Sequence, residues 1–306
     1  MNKPSILIET GRTALLAILC FSAQAIAATL NIDCDAGNTI ASVYATVKPG
    51  DTVLVSGMCK EQVSIPPEVT RVTFDGQKKA TIQHPGGPAA SPHALYNRGK
   101  EIIIKGFTVT GGQDGIHLSG PASAVIDGNV VTKNSGRGIH IDKGSVARIL
   151  NTTVEQSGSI GIDITGASYA YIGVFIPRVQ ALGPNIIRNN GGPGINIERT
   201  SGAWIVGNTI SGNKESGIAV HRNAQADVIG NTINANGGDG ITVSYNSGVN
   251  LDSEPRRDGP NKTTQPNAGA AIKCSVGGFV DGPLGTLAGA KSSKEFDQTC
   301  VDRVTP

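Results

Sequence analysis

The chain has 306 residues, 38% of them hydrophobic, and a formal charge of +2. That length can bury a sizeable core, and the near-neutral balance excludes a general attraction to nucleic acid or to an anionic membrane surface. Forty-one glycines beside only 4% aromatic residues point to many short strands and tight turns around an interior of isoleucine and valine.

Residues 1–27 read as a removable export signal. Lys3 and Arg12 make a basic start, Ala14 to Phe21 form an apolar run too short to span a bilayer comfortably, and Ala25-Ile26-Ala27 offers a small-x-small cleavage site. The expected location is periplasmic or extracellular, with no membrane contact after cleavage. Disulfides persist in such a compartment. Beyond the signal lie Cys34, Cys59, Cys274 and Cys300. Four cysteines allow three connectivities; pairing Cys34 with Cys59 and Cys274 with Cys300 is preferred, because each pair staples one end region.

Residues 38–48 carry apolar side chains at Ile40, Val43, Tyr44 and Val47, and Pro49-Gly50 ends the run. This spacing predicts a short helix that covers the open end of a stack of strands. Short strands are expected at 52–55, 62–65, 71–74 and 80–82, separated by glycine or proline.

From 101 to 251 the chain repeats. Gly115, Gly138, Gly161, Gly194, Gly217 and Gly240 are each followed by isoleucine, at spacings of 23, 23, 33, 23 and 23. Counting from each glycine, positions +1, +3, +9 and +11 are apolar or alanine at every repeat, and a third apolar column holds Val131, Val154, Ile187, Ile210 and Ile233. Such a period means an all-β solenoid, each coil burying its apolar face against its neighbours. Asparagines recur at two turn phases, Asn129, Asn185, Asn208, Asn231 and Asn134, Asn190, Asn213, Asn236. They read as scaffold ladders, since asparagine tolerates left-handed backbone and can bond its counterpart in the next coil. The solenoid is expected to span 28–251. Residues 252–306 are expected to form a C-terminal loop and cap region: a loop over 253–267, rich in proline, asparagine and charge, a strand over 270–276, a turn-rich stretch over 277–289 and a disulfide that holds the tail as a cap.

The short helix, the Pro-Gly-Asp-Thr-Val junction and the Gly-Ile-x-Ile…Ile-x-Gly-Asn-x-Ile coils resemble the right-handed parallel β-helix proteins of the pectin lyase-like superfamily, in particular its exported bacterial type. The resemblance covers roughly residues 30–251. It implies the fold strongly and activity weakly, because members include lyases, hydrolases, epimerases, adhesins and tailspikes.

The repeat also identifies outward columns. Position +2 reads His117, His140, Asp163, Asn196, Ala219, Thr242, and position +4 reads Ser119, Asp142, Thr165, Glu198, His221, Ser244. Lys143, Arg199 and Arg222 follow at +5. These positions are expected to face solvent, with His140 stacked directly on Asp163. The candidate catalytic residues are His140, Asp142, Asp163 and His221, as acid, base and carboxylate partners. The candidate substrate-binding residues are His117, Lys143, Asn196, Glu198, Arg199 and Arg222. Tyr171 and Trp204, adjacent on the next sheet, add a stacking platform for a sugar ring. The resemblance implies that polysaccharide-active members build their clefts over this first sheet.

Family signatures are missing, however. No clustered carboxylate cage adjoins Arg199 or Arg222, and neither a Gly-His-Gly turn nor an Asp-Pro-His-Asp segment occurs. No cofactor is expected, and calcium enters only as the resemblance implies. The expectation is an exported β-helix protein that binds a polysaccharide and, as an enzyme, cleaves it by elimination or hydrolysis. The alternative is a non-catalytic carbohydrate-binding or cell-surface scaffold.

Overall fold

The computed structural model describes residues 27–86, 93–173, 184–252 and 259–305. The signal segment, apart from Ala27, lies outside them, as do most of the insertion between Gly161 and Gly194 and residues 253–258.

The chain winds into a right-handed parallel β-solenoid of about 11 turns. Among the described residues, one sheet has ten strands and the other eighteen. The ten-stranded sheet carries the Gly-Ile-x-Ile segments in register: Ile116 beside Ile139, Ile139 beside Ile162, Ile162 beside Ile195, Ile195 beside Ile218 and Ile218 beside Ile241. The 33-residue spacing therefore costs no register. All six isoleucines are fully buried. The eighteen-stranded sheet covers the other two faces of the coil. Its faces are joined because Thr73–Gln83 and Ile102–Thr110 run unbroken around the corner that later coils turn with a separate bend.

Close approach explains the repeating glycine. A Cβ at Gly115 would sit 2.5 Å from Val131 Cγ1 and 2.6 Å from Asn134 Nδ2. Any side chain there would collide with the inward column and the second asparagine ladder.

Both ladders form. Asn185, Asn208 and Asn231 each donate through Nδ2 to Oδ1 of the next member, ending on Asn261, at 2.9–3.0 Å. Asn190, Asn213 and Asn236 do the same, ending on Asn267, at 2.8–3.0 Å. All are buried. The amides satisfy turn N–H and C=O groups that would otherwise be orphaned inside the coil.

Two expectations are corrected. The 38–48 helix is only a single 3₁₀ turn, Ile40–Val43. Its apolar pair, Ile40 and Val43, is buried as expected, but the turn is held by Glu61 accepting from Ile40 N at 2.6 Å and is too short to make a capping helix. Nor does the solenoid end at 251: the strand expected over 270–276 forms, and three more follow it. Ala270–Ser275 pairs with the ten-stranded sheet and Phe279–Pro283 with the other, followed by Ser292–Phe296 and Val301–Thr305. The coil continues, with Ile272 beside Ile241. The disulfides pair Cys34 with Cys59 and Cys274 with Cys300, each across about one coil.

Candidate functional site

The register sets the first-sheet strand residues side by side. His117 lies beside His140, His140 beside Asp163, Asp163 beside Asn196, and Glu198 beside His221. Their exposure differs from expectation. His117, His140, Asp163 and Asn196 are 6%, 7%, 1% and 5% exposed. They point away from the core yet do not reach solvent. Successive side chains stack along the column at the rung spacing, and Arg137, from the turn before Gly138, lies over them. Its Nε is 2.8 Å from Asp163 Oδ2 and its Nη1 3.6 Å from Asp114 Oδ1.

The result is a largely buried polar network along five rungs, from His93 to Asn196. The rings of His117 and His140 stack at 4.2 Å between centroids, and His93 meets His117 edge-on at the same distance. Tyr96 packs against both His93 and His117. His140 donates from Nδ1 to Asp114 Oδ2 at 3.3 Å, and His117 Nδ1 is 3.0 Å from His93 Nε2. Asp163 also accepts from Asn196 Nδ2 at 2.8 Å. It is thus locked between an arginine and an amide, with His140 Nε2 3.7 Å away. Asp142 Oδ1 lies 3.2 Å from His117 Nε2.

The electrostatics follow from this packing. Burial works against ionising Asp114, but the hydrogen bonds from His140 and His93 and the nearby Arg137 outweigh it and hold the carboxyl far below its usual range. His117 is pulled down to about 4, first by burial and then by His140 and His93, against the attraction of Asp142 and Asp114. It is neutral at physiological pH.

A second cluster sits at the other end of the strip. Glu198 Oε2 is 2.6 Å from Arg222 Nη1 and 3.5 Å from His221 Nε2, and Glu198 Oε1 is 3.6 Å from Arg199 Nη1. Thr165 Oγ1 donates to the same carboxylate at 3.4 Å. His221 is the more open histidine here, with 28% of its side chain exposed. Burial lowers its pKa, and Arg222 and Arg199 add to this while Glu198 and Asp163 oppose it. Lys143, Arg199 and Arg222 form an exposed rim.

Asp114, Arg137, His93 and Tyr96 escaped the sequence pattern. A signal existed: the column just before each glycine reads Asp114, Arg137, Ile160, Pro193, Ser216, Asp239, so it breaks the pattern at the same rungs. His93 and Tyr96 were hidden because their rung lies only 21 residues before the next, with Ala94 where later coils place glycine.

On the eighteen-stranded sheet, Tyr171 is paired with Trp204, their rings 6.0 Å apart at 71°. Tyr171 also lines a groove of about 770 Å³ together with Arg71, Glu101, Val125 and Arg148. This aromatic pair belongs to a different face from the histidine strip.

Calcium does not fit the strip. It takes six to eight oxygen ligands, whereas every grouping among the described residues that could hold an ion includes histidine or disulfide-bonded cysteine.

The right handed beta helix region family matches residues 94–252, just over half of the chain. This protein belongs to that family. No curated protein matches it in sequence. Among solved structures it is similar to the pectate lyase Pel9A, at 12% identity and a TM-score of 0.57, covering 91% of this chain and 78% of that one. It is similar to an alginate lyase from Paenibacillus sp. str. FPU-7, at 16% identity and a TM-score of 0.55, covering 91% and 99%. A double mutant of the periplasmic alginate epimerase AlgG matches at 16% identity and a TM-score of 0.54, covering 84% of this chain but only 60% of that one. At such identities the likeness is one of fold, so the β-helix is common ground and chemistry must be argued from this chain's own residues.

Proposed function

We propose that this β-helix protein is exported and acts on an acidic polysaccharide laid along the outer face of its ten-stranded sheet. One observation carries the reading: the outward columns of this sheet break the repeat and fill with titratable groups. Scaffold positions recur along the stack, as both asparagine columns do save for Thr152 and Ser157 on one coil, whereas His117, His140, Asp142, Asp163, Glu198 and His221 do not. The two lyases and the epimerase that share the fold support a polysaccharide as the substrate class. Two disulfides suit an oxidising compartment, and no helix among the described residues is long and apolar enough to cross a membrane.

Within this reading Lys143, Arg199 and Arg222 bind substrate carboxylates from the rim, successive rungs being about 4.8 Å apart. His221, open to solvent and with a lowered pKa, is the proton acceptor. Removing the C5 proton next to the sugar carboxylate forms a C4–C5 double bond and breaks the C4–O glycosidic bond, the departing oxygen taking a proton from solvent; this is elimination. His140, Asp142 and Asp163 form the buried polar floor behind it, with His117, Asn196 and Glu198 orienting their neighbours. Incubation with alginate and polygalacturonate tests this by the ultraviolet absorbance of the unsaturated product. Absorbance should grow with the wild type and vanish with His221→Ala; no product from either polymer refutes the elimination.

A second reading rests on burial. His140 and Asp163, neighbours on adjoining rungs, lie under Arg137 and are buried. A carbohydrate-binding scaffold uses the same rim cations without turnover. Binding to a uronate column with no product favours it.

A further inference from the structure

We propose that His117, His140 and Asp142 form a site for a divalent transition-metal ion of the zinc class. Among the described residues, four buried side-chain atoms on neighbouring rungs make no well-formed hydrogen bond: His117 Nε2, His140 Nε2, Asp142 Oδ1 and Ser119 Oγ, although His117 Nε2 and Asp142 Oδ1 face each other at 3.2 Å. Buried polar atoms are nearly always satisfied by protein, ordered water or an ion. Four orphans in one place point to a ligand that belongs there.

The donor set selects the class of ligand. One ligand atom from each of His117, His140 and Asp142 lies within 4.8 Å of the other two. Two imidazoles and a carboxylate suit zinc and its neighbours cobalt, nickel and copper, and do not suit calcium or magnesium. A tetrahedral zinc site with bonds of about 2.0–2.1 Å needs its ligands roughly 3.3 Å apart, close to the 3.2 Å that separates His117 Nε2 from Asp142 Oδ1. Three protein ligands leave a fourth position, next to Ser119, for water or an incoming oxygen.

The far side of each ring is already held. His140 Nδ1 donates to Asp114 Oδ2, and His117 Nδ1 is bonded to His93 Nε2. Both rings are therefore committed through Nδ1, and Nε2 is the nitrogen each has left to offer. A carboxylate behind a ligating histidine fixes its tautomer and raises its basicity. The neighbouring trio of His93, Asp114 and His117 is the poorer choice, because Asp114 is already engaged by His93, His140 and Arg137.

Untagged full-length protein, stripped with EDTA and dialysed, is titrated with zinc alone by calorimetry, and its metal content is measured after gel filtration. One zinc per chain with micromolar or tighter affinity is expected, together with a rise in Tm. His117→Ala, His140→Ala and Asp142→Asn should each weaken binding at least 100-fold, and His221→Ala should leave the stoichiometry at one. If a ligand variant fails to fold, cobalt added to the wild type gives an independent reading: visible absorption bands of a four-coordinate nitrogen and oxygen site. No zinc uptake at 100-fold excess, uptake that persists in the His117→Ala/His140→Ala double variant, or tighter binding of calcium than of zinc would overturn the proposal. The titration contains no glycan, so its failure leaves the polysaccharide reading untouched.

Discussion

His140 donates through Nδ1 to Oδ2 of Asp114, 3.3 Å away on the preceding rung, and His93 Nδ1 approaches the same oxygen at 3.4 Å. Asp114 is 2% exposed, so this one carboxylate organises two imidazoles and the Arg137 guanidinium inside the polar floor. Charged hydrogen-bond partners of this kind contribute about 1.5–3 kcal/mol each when their loss leaves a buried group unpaired.

Asp114→Asn keeps the shape and removes the charge. The expected loss is about 2–3 kcal/mol, less than for a fully sealed ion pair because Arg137 can turn to water. The midpoint of urea unfolding should fall with no change in the slope. An unchanged midpoint would mean that the imidazoles do not depend on this carboxylate.

His117 makes stability depend on pH. Its folded pKa of about 4 lies below the ordinary histidine value of 6.5. Between these values the unfolded chain binds a proton at this position that the folded chain does not. Stability therefore rises with pH across that window and is lost as pH falls from 6.5 toward 4. Urea midpoints measured in EDTA at pH 7, 5.5 and 4.5 should drop steadily for the wild type and less steeply for His117→Gln. Equal slopes would show that the group is not held neutral by the fold.

Asn208 tests the ladders. Its Nδ2 donates to Ile172 O at 2.9 Å and to Asn231 Oδ1 at 3.0 Å, while its Oδ1 accepts from Asn185 Nδ2 at 2.9 Å. Asn208→Ala orphans several buried groups at once, each costing about 1–3 kcal/mol, so a loss of at least 3 kcal/mol is expected. Asn234 bonds Thr264 at the exposed edge, and Asn234→Ala should change stability by roughly 0.5 kcal/mol or less. Similar losses at both sites would remove the distinction between ladder and surface amides.

Much of this architecture was legible because the inward faces are constrained by packing. Ile116, Ile139, Ile162 and Ile195 stack on one another, so each rung must repeat its neighbour and the period survives in the chain. The ends were harder to read. Asn261 and Asn267 continue the ladders at spacings of 30 and 31 from Asn231 and Asn236, and that irregular interval disguised the coil after 252. The floor of the strip was only half legible. An outward column on a β-strand is normally wet, yet stacking and one arginine from a neighbouring turn buried it. Local alternation carries no information about a cover supplied from a turn 23 residues away, as Arg137 is from Asp114.

Lys143 offers a prediction in which stability and function part. It occupies a turn position with φ of 52°, and the equivalent residues on the flanking rungs are Gly120 at 70° and Gly166 at 63°. A left-handed conformation costs a residue with a side chain about 1–2 kcal/mol, while glycine gives back about 0.5–1 kcal/mol through the freedom of the unfolded chain. Lys143→Gly should therefore stabilise the fold by about 0.5–1 kcal/mol, seen as a higher Tm. Arg222→Gly should gain less, since it also forfeits the 2.6 Å contact with Glu198. If the rim cations hold an acidic glycan, the stabilised Lys143→Gly variant should bind alginate or polygalacturonate more weakly, and its binding should vary less with salt. A fall in Tm would contradict the backbone strain. A rise in Tm with unchanged glycan affinity would take Lys143 out of the binding surface and leave that role to Arg199 and Arg222.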